Sequence, residues 1–319
     1  MMIALFFLIA VFGLSRLFFS APKQNRRVFF AMDTFFEITS SEEVNWDEIE
    51  KDVKSSINQL DLMINSYQPA SEISQINQNA GIQPVKVTPD TYLLLQQAIE
   101  LSQLSKGCFD ITFQPLQDLY GFETGDYHVP DLQEIEQAKL LVGYEKIVFN
   151  KTDQTVYLPH PGMKINCSGL IKGIVLDRIR LLLSSKGMDF YTLNFGGNLY
   201  IQSNKEEKIG IKSPYNNDIV KVIPLKSGFV STSSNGEQYF IQNEKRYSHI
   251  VNPLNGSAES TNDSVTIISN SGLLSDFLST YLYLLPEEKA EQFISQHYPE
   301  TGFLIIQNQQ ISLEKAPEF

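Results

Sequence analysis

The chain is poor in the residues that most often announce a reaction. Its 319 residues hold two cysteines, one tryptophan and four histidines. Cys108 and Cys167 both sit in apolar runs. They offer no metal-ligand spacing and no disulfide framework, and read as small buried hydrophobes, with a single disulfide as the alternative. His128, His160, His249 and His297 are scattered, and no HExxH or Cys/His cluster occurs, which argues against zinc. Basic residues are also scarce: 25 Lys and Arg against 37 Asp and Glu give a net charge of −12. With no basic stripe interleaved with aromatics, that balance argues against nucleic acid as a partner. There is no internal repeat and no low-complexity tract.

The N-terminus differs in kind from the rest. Residues 1–21, MMIALFFLIAVFGLSRLFFSA, begin with an uninterrupted apolar run. It is short for a spanning helix and suits a signal-peptide core, while extension to Phe19 with Arg16 snorkelling gives a membrane anchor. There is no lipobox cysteine and no good small-x-small cleavage site. No Lys or Arg precedes the run, and Arg16, Lys23, Arg26 and Arg27 follow it. By the positive-inside rule alone that arrangement leaves the body in the cytoplasm. Residues 1–21 therefore read as a signal peptide or anchor, and residues 22–319 as one domain.

What remains is an ordinary globular composition, 42% hydrophobic and 19% charged, with strands and helices mixed and hairpins among them. That order predicts an α+β fold rather than a doubly wound parallel sheet. Residues 28–39 read as one buried strand. Residues 45–64 repeat Trp46, Ile49, Val53, Ile57, Leu60 and Ile64 at helical spacing. After Pro69, Ser71-Glu72 can start a short helix, and Thr88, Pro89 and Gly107 bracket another over 88–107. Residues 108–116, CFDITFQPL, read as a strand-like run. A loop over 120–130 precedes a helix over 131–141. A hairpin joins 146–149 to 155–158, and 164–167 reads as a further strand. SGLIKG reads as a loop feeding a helix over 174–185, with Asp177 in its first turn. Residues 191–201 are two apolar stretches around Gly196-Gly197-Asn198. Residues 264–269 read as a strand, broken at 270–272, before a helix that starts near Ser275. A helix over 286–296 and a strand over 302–307 close the chain.

Several positions carry two readings. Asp276 and Thr280 are four apart on one helix face, where an acid and a hydroxyl can ligate a hard cation through oxygen; equally, Ser275 and Asp276 can simply cap the helix. Asp110 inside an apolar run needs a partner, either the backbone or a ligand. Lys172 near a helix start opposes the dipole there, and a glycine-flanked loop at such a start is an anion site. Gly196-Gly197 is a bulge or a phosphate-cradling turn. His249 is a hydrogen-bonded core residue or a catalyst.

Taken together, the loops resemble in order the signatures of the ApbE family of FAD:protein FMN transferases. NSYQPASEISQIN is similar to a Ser-x-Tyr…Ser-Glu-Leu-Ser…Asn signature, GCFDIT to Gly-x-Phe-Asp-Ile-Thr, and SGLIKGIVLD to Gly-Gly-x-x-Lys-Gly-x-x-x-Asp. NFGGN is similar to a Gly-Gly-Asn turn, HIVNPLNG to His-Ile-x-Asp-Pro-x-Thr-Gly, and SDFLST to Asp-x-x-Ser-Thr. Departures are Asp33 for Gly in Met-Gly-Thr, Asn166 and Ser168 in the Lys-Gly motif, Ser234 in Thr-Ser-Gly, and Asn252 and Asn255 in the histidine motif.

The resemblance implies an ApbE-like, T-fold-like architecture of largely antiparallel sheets with packed helices and an FAD cleft between subdomains. It implies Mg²⁺-dependent transfer of FMN from FAD to a threonine hydroxyl of a target redox protein, with AMP released. Mg²⁺ ligands carried over are Asp276, Thr280 and a backbone carbonyl at Ser168. FAD contacts are Met32, Ser66, Tyr67, Ser71, Glu72, Asn77, Asp110, Lys172, Asp177, Gly196, Gly197, Asn198 and His249, with His249 and Lys172 as the catalytic pair. It also implies an exported protein, anchored to the membrane or facing the periplasm. FAD hydrolysis to FMN and AMP, or FAD binding without turnover, are the alternative activities.

Overall fold

The computed structural model describes residues 25–216 and 218–319; the leader expected over residues 1–21 lies outside them. No helix among the described residues is long and apolar enough to cross a membrane. The chain forms an eight-stranded antiparallel sheet in the order β1-β2-β6-β7-β8-β11-β12-β13. Its strands are β1 (Asn25–Ala31), β2 (Thr34–Ser40), β6 (Tyr191–Phe195), β7 (Asn198–Lys212), β8 (Ile219–Ser234), β11 (Ser264–Ser269), β12 (Gly302–Gln307) and β13 (Gln310–Lys315). A three-stranded sheet holds β3 (Val85–Lys86), β4 (Val148–Asn150) and β5 (Thr155–Tyr157), and a two-stranded one holds β9 (Tyr239–Gln242) and β10 (Lys245–Ser248).

Eight α-helices pack around these sheets among the described residues: α1 (Trp46–Ile64), α2 (Glu72–Gln78), α3 (Pro89–Leu104), α4 (Gln114–Leu119), α5 (Leu132–Lys139), α6 (Ser168–Ser185), α7 (Gly272–Tyr283) and α8 (Glu287–His297). The expected α+β architecture is what forms. α1 turns its apolar stripe of Trp46, Ile49, Val53, Ile57, Leu60 and Ile64 inward, and Asn45 accepts from the Glu48 N–H at its start. A cap of this kind contributes about 1 kcal/mol. Thr88 does the same for α3 and Ser71 for α2.

Alternation along the strands sorts two apolar layers onto opposite faces of the large sheet. Phe36, Ile38, Leu193, Phe195 and Phe229 meet α1 and α6 through Val53, Ile57, Val175 and Leu176. Ile201, Leu225, Val230, Ile268, Leu304 and Ile306 form a smaller cluster on the other side. A third cluster, of Phe109, Ile111, Phe277, Leu278 and Leu282, joins α7 to the small three-stranded region.

Five local expectations are corrected. Residues 28–39 are two strands, because Met32 and Asp33 turn the chain with φ of 46° and 59°; two central residues with positive φ make the tight hairpin turn that matches strand twist. Residues 108–113 are a turn and not a strand, because Asp110 Oδ1 accepts from both the N–H and hydroxyl of Thr112. Residues 164–167 are also not a strand; Asn77 clamps Ile165 through both its main-chain groups instead. SGLIKG lies within α6, so Lys172 and Asp177 stand in helix interior. α7 starts three residues earlier than expected, capped by Ser271, whose Oγ accepts from the Leu274 N–H.

Candidate active site

α6 and α7 cross at two glycines. A Cβ on Gly173 would overlap the Gly272 carbonyl, and one on Gly272 would overlap the Gly173 carbonyl. Only hydrogen fits at either position, so the backbones approach to contact. That approach lets each helix serve the other. Gly173 N–H donates to Asp276 Oδ2 at 2.9 Å, and Leu273 N–H donates to Asp177 Oδ2 at 2.8 Å. Asp177, carried over as an FAD contact, therefore faces the start of α7.

Asp276 is buried, and burial pushes its carboxyl up to about 6. Its other oxygen accepts from Asn198 Nδ2 at 2.7 Å. Both donors are neutral, so the carboxylate has hydrogen bonds but no ion-pair partner in contact. One turn along, Thr280 Oγ1 lies 3.2 Å from Ser233 Oγ. A Cβ placed on Gly169 would stand 3.5 Å from that Thr280 oxygen, so the first turn of α6 directly faces Thr280. Ser168, Gly169, Thr280 and Asp276 thus line one point of a common cleft, with a single carboxylate among them. Among the described residues no group of three His, Cys, Asp or Glu is placed to hold a metal. The donor set is poor in nitrogen and sulfur and suits a hard cation that keeps several waters.

This point opens into a cleft of about 190 Å³, walled by Phe109, Phe113, Ile250, Val251 and Pro253 and reached by Asp110, Lys172, Glu237 and His249. Lys172 Nζ donates to Gly196 O at 3.3 Å and stands 3.8 Å from Glu237 Oε2. Gly196 and Gly197 form the β6–β7 turn with φ of 55° and 95°. It is a hairpin turn and not a bulge; a Cβ at Gly196 would press on the Thr34 hydroxyl. The Met32-Asp33 turn therefore lies against the glycine turn, and Gly196 N–H donates to Phe35 O at 3.1 Å. Met32 itself packs on the apolar layer beneath α1 and α6.

His249 follows β10 and is held at its main chain from both sides. Its N–H donates to Gln238 O at 3.0 Å, and its carbonyl accepts from Gln117 Nε2 at 2.8 Å. Nδ1 lies 3.2 Å from Gln238 O. A carbonyl only accepts, so Nδ1 carries the proton and Nε2 keeps the lone pair. Burial lowers the ring's pKa, Lys172 lowers it further and Glu237 opposes both. One edge stays open to the cleft, so the base is neutral and reachable.

Asp110 reaches the same cleft, but its Oδ1 is occupied by Thr112 and its Oδ2 accepts from Tyr144 N–H at 2.9 Å. Burial raises its pKa against those bonds. Ser66, Tyr67 and Asn77 line a separate polar recess of about 140 Å³ with Gln114, Glu123 and Lys164. Asn166 links the two spaces: its Nδ2 donates to Tyr67 Oη at 3.1 Å and its Oδ1 accepts from Ser168 N–H at 2.7 Å. The Tyr67 hydroxyl is pushed up to about 12, by burial and then by Glu123. Ser71 and Glu72 face neither space. Ser71 Oγ caps α2 and donates to Asn65 O, and Glu72 Oε2 accepts from the N–H and hydroxyl of Thr88.

The structure thus gathers Asp110, Ser168, Lys172, His249, Asp276 and Thr280 at one cleft, with Gly196 and Asn198 bonded directly to its rim. Sequence reasoning missed Glu237 and Gln117, and named Ser233 only within the Thr-Ser-Gly resemblance. Gly236 marked Glu237: a Cβ there would overlap the Pro214 carbonyl, which pins the β8–β9 turn and presents Glu237 to Lys172. Nothing in the sequence marked Gln117.

The sequence pattern of the ApbE family matches residues 32–305. The FAD:protein FMN transferase of Klebsiella pneumoniae (strain 342) is 29% identical over 246 residues, covering 76% of this chain and 77% of that protein. The enzyme of the same name from Haemophilus influenzae is 27% identical over 266 residues, covering 79% and 76%. The crystal structure of the ApbE protein of Thermotoga maritima superposes with a TM-score of 0.83 at 28% identity, over 91% of this chain and 96% of that one. The flavin transferase ApbE of Vibrio cholerae, at 23% identity and a TM-score of 0.80 over 92% and 97%, shares the fold.

Proposed function

The chain belongs to the ApbE family, and from that premise we propose that it transfers the FMN half of FAD to a threonine hydroxyl of a target protein and releases AMP. The observation that carries this is the convergence of Lys172, His249 and the Asp276/Thr280 pair on one cleft. Each answers a demand of the reaction. Attack on a pyrophosphate needs a deprotonated nucleophile and offset of negative charge on both phosphates. Nε2 of His249, whose ring the partial desolvation in the cleft keeps neutral, takes the proton of the threonine hydroxyl. The threonine oxygen then bonds to the FMN phosphorus as the bond from that phosphorus to the bridging oxygen breaks. AMP leaves with that electron pair. Lys172 places its ammonium beside the phosphates, held over the Gly196 carbonyl until they arrive. The apolar wall of Phe109, Phe113 and Val251 takes a ring, and Asp110 is the acceptor for the adenine amine. Tyr67 and Asn77 line the recess that receives the far end of the dinucleotide.

Asp276, Thr280 and the Ser168 carbonyl hold Mg²⁺ in this reading. The buried carboxylate, raised to about 6 with no cationic partner in contact, is what such an ion stabilises. When bound it supplies positive charge to the phosphate oxygens. The domain works outside the cytoplasm, tethered by residues 1–21 as a retained anchor; the anchor rests on the apolar sequence of that segment, and the outside location on the family resemblance against the positive-inside reading of its flanks.

Incubation of the purified chain with FAD, Mg²⁺ and a threonine-bearing acceptor domain tests the reading. Covalent yellow fluorescence on the acceptor in a denaturing gel is expected. AMP release at the same rate with no acceptor present would make the protein a hydrolase instead.

A further inference from the structure

The outer face of the β1–β2 hairpin carries apolar side chains that no other described residue covers. Phe30 and Phe35 pair across the strands, their rings 5.6 Å apart and edge-to-face, yet they are 63% and 64% exposed. Val28 beside them is also exposed. Alternation explains the placement: Phe29 and Phe36 turn into the core, so their neighbours must turn out. Scattered exposed hydrophobes are ordinary, but a contiguous aromatic pair on an edge strand is an aggregation hazard unless something occupies it.

The hairpin is also where the chain departs toward its apolar leader. Only residues 20–24 separate the apolar run from Asn25, a reach of about 17 Å fully extended. Any surface that the leader enters is therefore within reach of β1. The basic residues nearby do not point to an electrostatic contact. Arg26 donates to both carboxylate oxygens of Glu37 at 2.6 and 2.7 Å, and Arg27 stands 3.4 Å from Glu50.

We propose that the hairpin lies flat on the lipid bilayer, with Val28, Phe30 and Phe35 seated at the headgroup–acyl boundary. Phenylalanine on the apolar face of an interfacial element buries to that depth. The contact holds the domain at a fixed orientation to the membrane, as a second point of attachment beside the leader. It is apolar, so neutral lipid suffices and salt does not release it. The inference rests on residues 1–21 being a retained anchor.

The full chain in phosphatidylcholine vesicles, with a nitroxide on Phe30→Cys, tests it. Labelling is selective because Cys108 and Cys167 are buried and burial pushes their thiols up to about 11 and about 12. The expected result is a label reached by dissolved oxygen and shielded at least threefold from a water-soluble nickel complex, relative to a Leu132→Cys label on α5. Raising salt leaves the ratio unchanged. A vesicle-bound chain whose Phe30→Cys label is as nickel-accessible as that at position 132 overturns the inference and leaves the anchor standing. Spin–spin broadening between labels puts a second copy of the chain on the patch, and shielding that appears only when acceptor protein is added puts the acceptor there; either overturns it. A chain that does not stay with the vesicles overturns both the anchor and the inference. Phe35→Cys is the second probe, should the first substitution perturb folding, and the same outcomes apply.

Discussion

At the α6–α7 crossing a carboxylate, two hydroxyls and an amide lie buried; at the tip of β1–β2 two phenyl rings stand in solvent. Both regions invert the usual partition of side chains, and they do so under different constraints. Every oxygen of Asp276 has a donor, supplied by Gly173 and Asn198, and the glycine crossing exists to bring one of them there. The arrangement is over-determined, as a site that must stay polar while dry has to be. The hairpin has no such support. Its backbone is fully paired in register with β2, and its outward rings contribute nothing to the fold that a polar side chain would not. The first inversion is built inward and should be sensitive to any change. The second faces outward and should be silent until a surface is offered.

The largest contrast is expected in turnover. Asp276→Ala should reduce Mg²⁺-dependent flavin transfer by about 10³-fold or more while circular dichroism shows the fold retained; activity within tenfold of wild type would place the cation elsewhere. His249→Ala should lose about 10²- to 10⁴-fold in kcat, with FAD affinity close to wild type in equilibrium dialysis. A large loss of affinity instead would make His249 a binding residue.

Next comes stability against pH. The carboxyl of Asp276 is raised in the fold, from its model-compound value of 3.8 to about 6. The folded chain therefore binds the proton more tightly than the unfolded one between those values. Stability of metal-free protein should fall as pH rises through that window, by about 3 kcal/mol for a shift of about two units. A thermal melt in chelator should show Tm dropping from pH 4.5 to 7, with Mg²⁺ restoring it and Asp276→Asn flattening the slope. A wild-type Tm that rises across that window, measured against Asp276→Asn, would contradict the burial.

Gly173→Ala comes next, at about 1–3 kcal/mol of destabilisation in a denaturant titration, because its methyl meets the Gly272 carbonyl. Smallest of all, Phe30→Ser should leave stability within about 0.5 kcal/mol of wild type. A larger loss would mean that the hairpin's outer face is part of the core after all.

The sequence carried the strongly periodic and well-capped elements plainly. α1, α2 and α3 begin at Asn45, Ser71 and Thr88 as their side chains dictate. It misled wherever a residue type served tertiary contact against its local habit. Gly169 and Gly173 read as loop formers, but Gly173 sits in helix because only a glycine fits under Gly272. Met32-Asp33 carries no turn glycine, yet both residues take the left-handed region, which Asp tolerates and Met rarely does. The run around Asp110 looked like a strand because its apolar residues hid an acid that folds the chain onto Thr112. The cleft residues Lys172, His249, Asp276 and Thr280 were legible only as an ordered set of motifs. Glu237 was marked only by the glycine before it, Ser233 only by its motif and Gln117 by nothing, since each acquires its place from a neighbour distant in sequence.

The central claim is that this cleft divides FAD and delivers its FMN half to a threonine. The most direct measurement counts AMP released and flavin covalently attached to the acceptor in one reaction, locating the flavin by tandem mass spectrometry. The account predicts one AMP per flavinylated threonine, and neither product when Mg²⁺ is chelated. AMP accumulating without attached flavin, or FAD held intact in the presence of Mg²⁺ and acceptor, would contradict it.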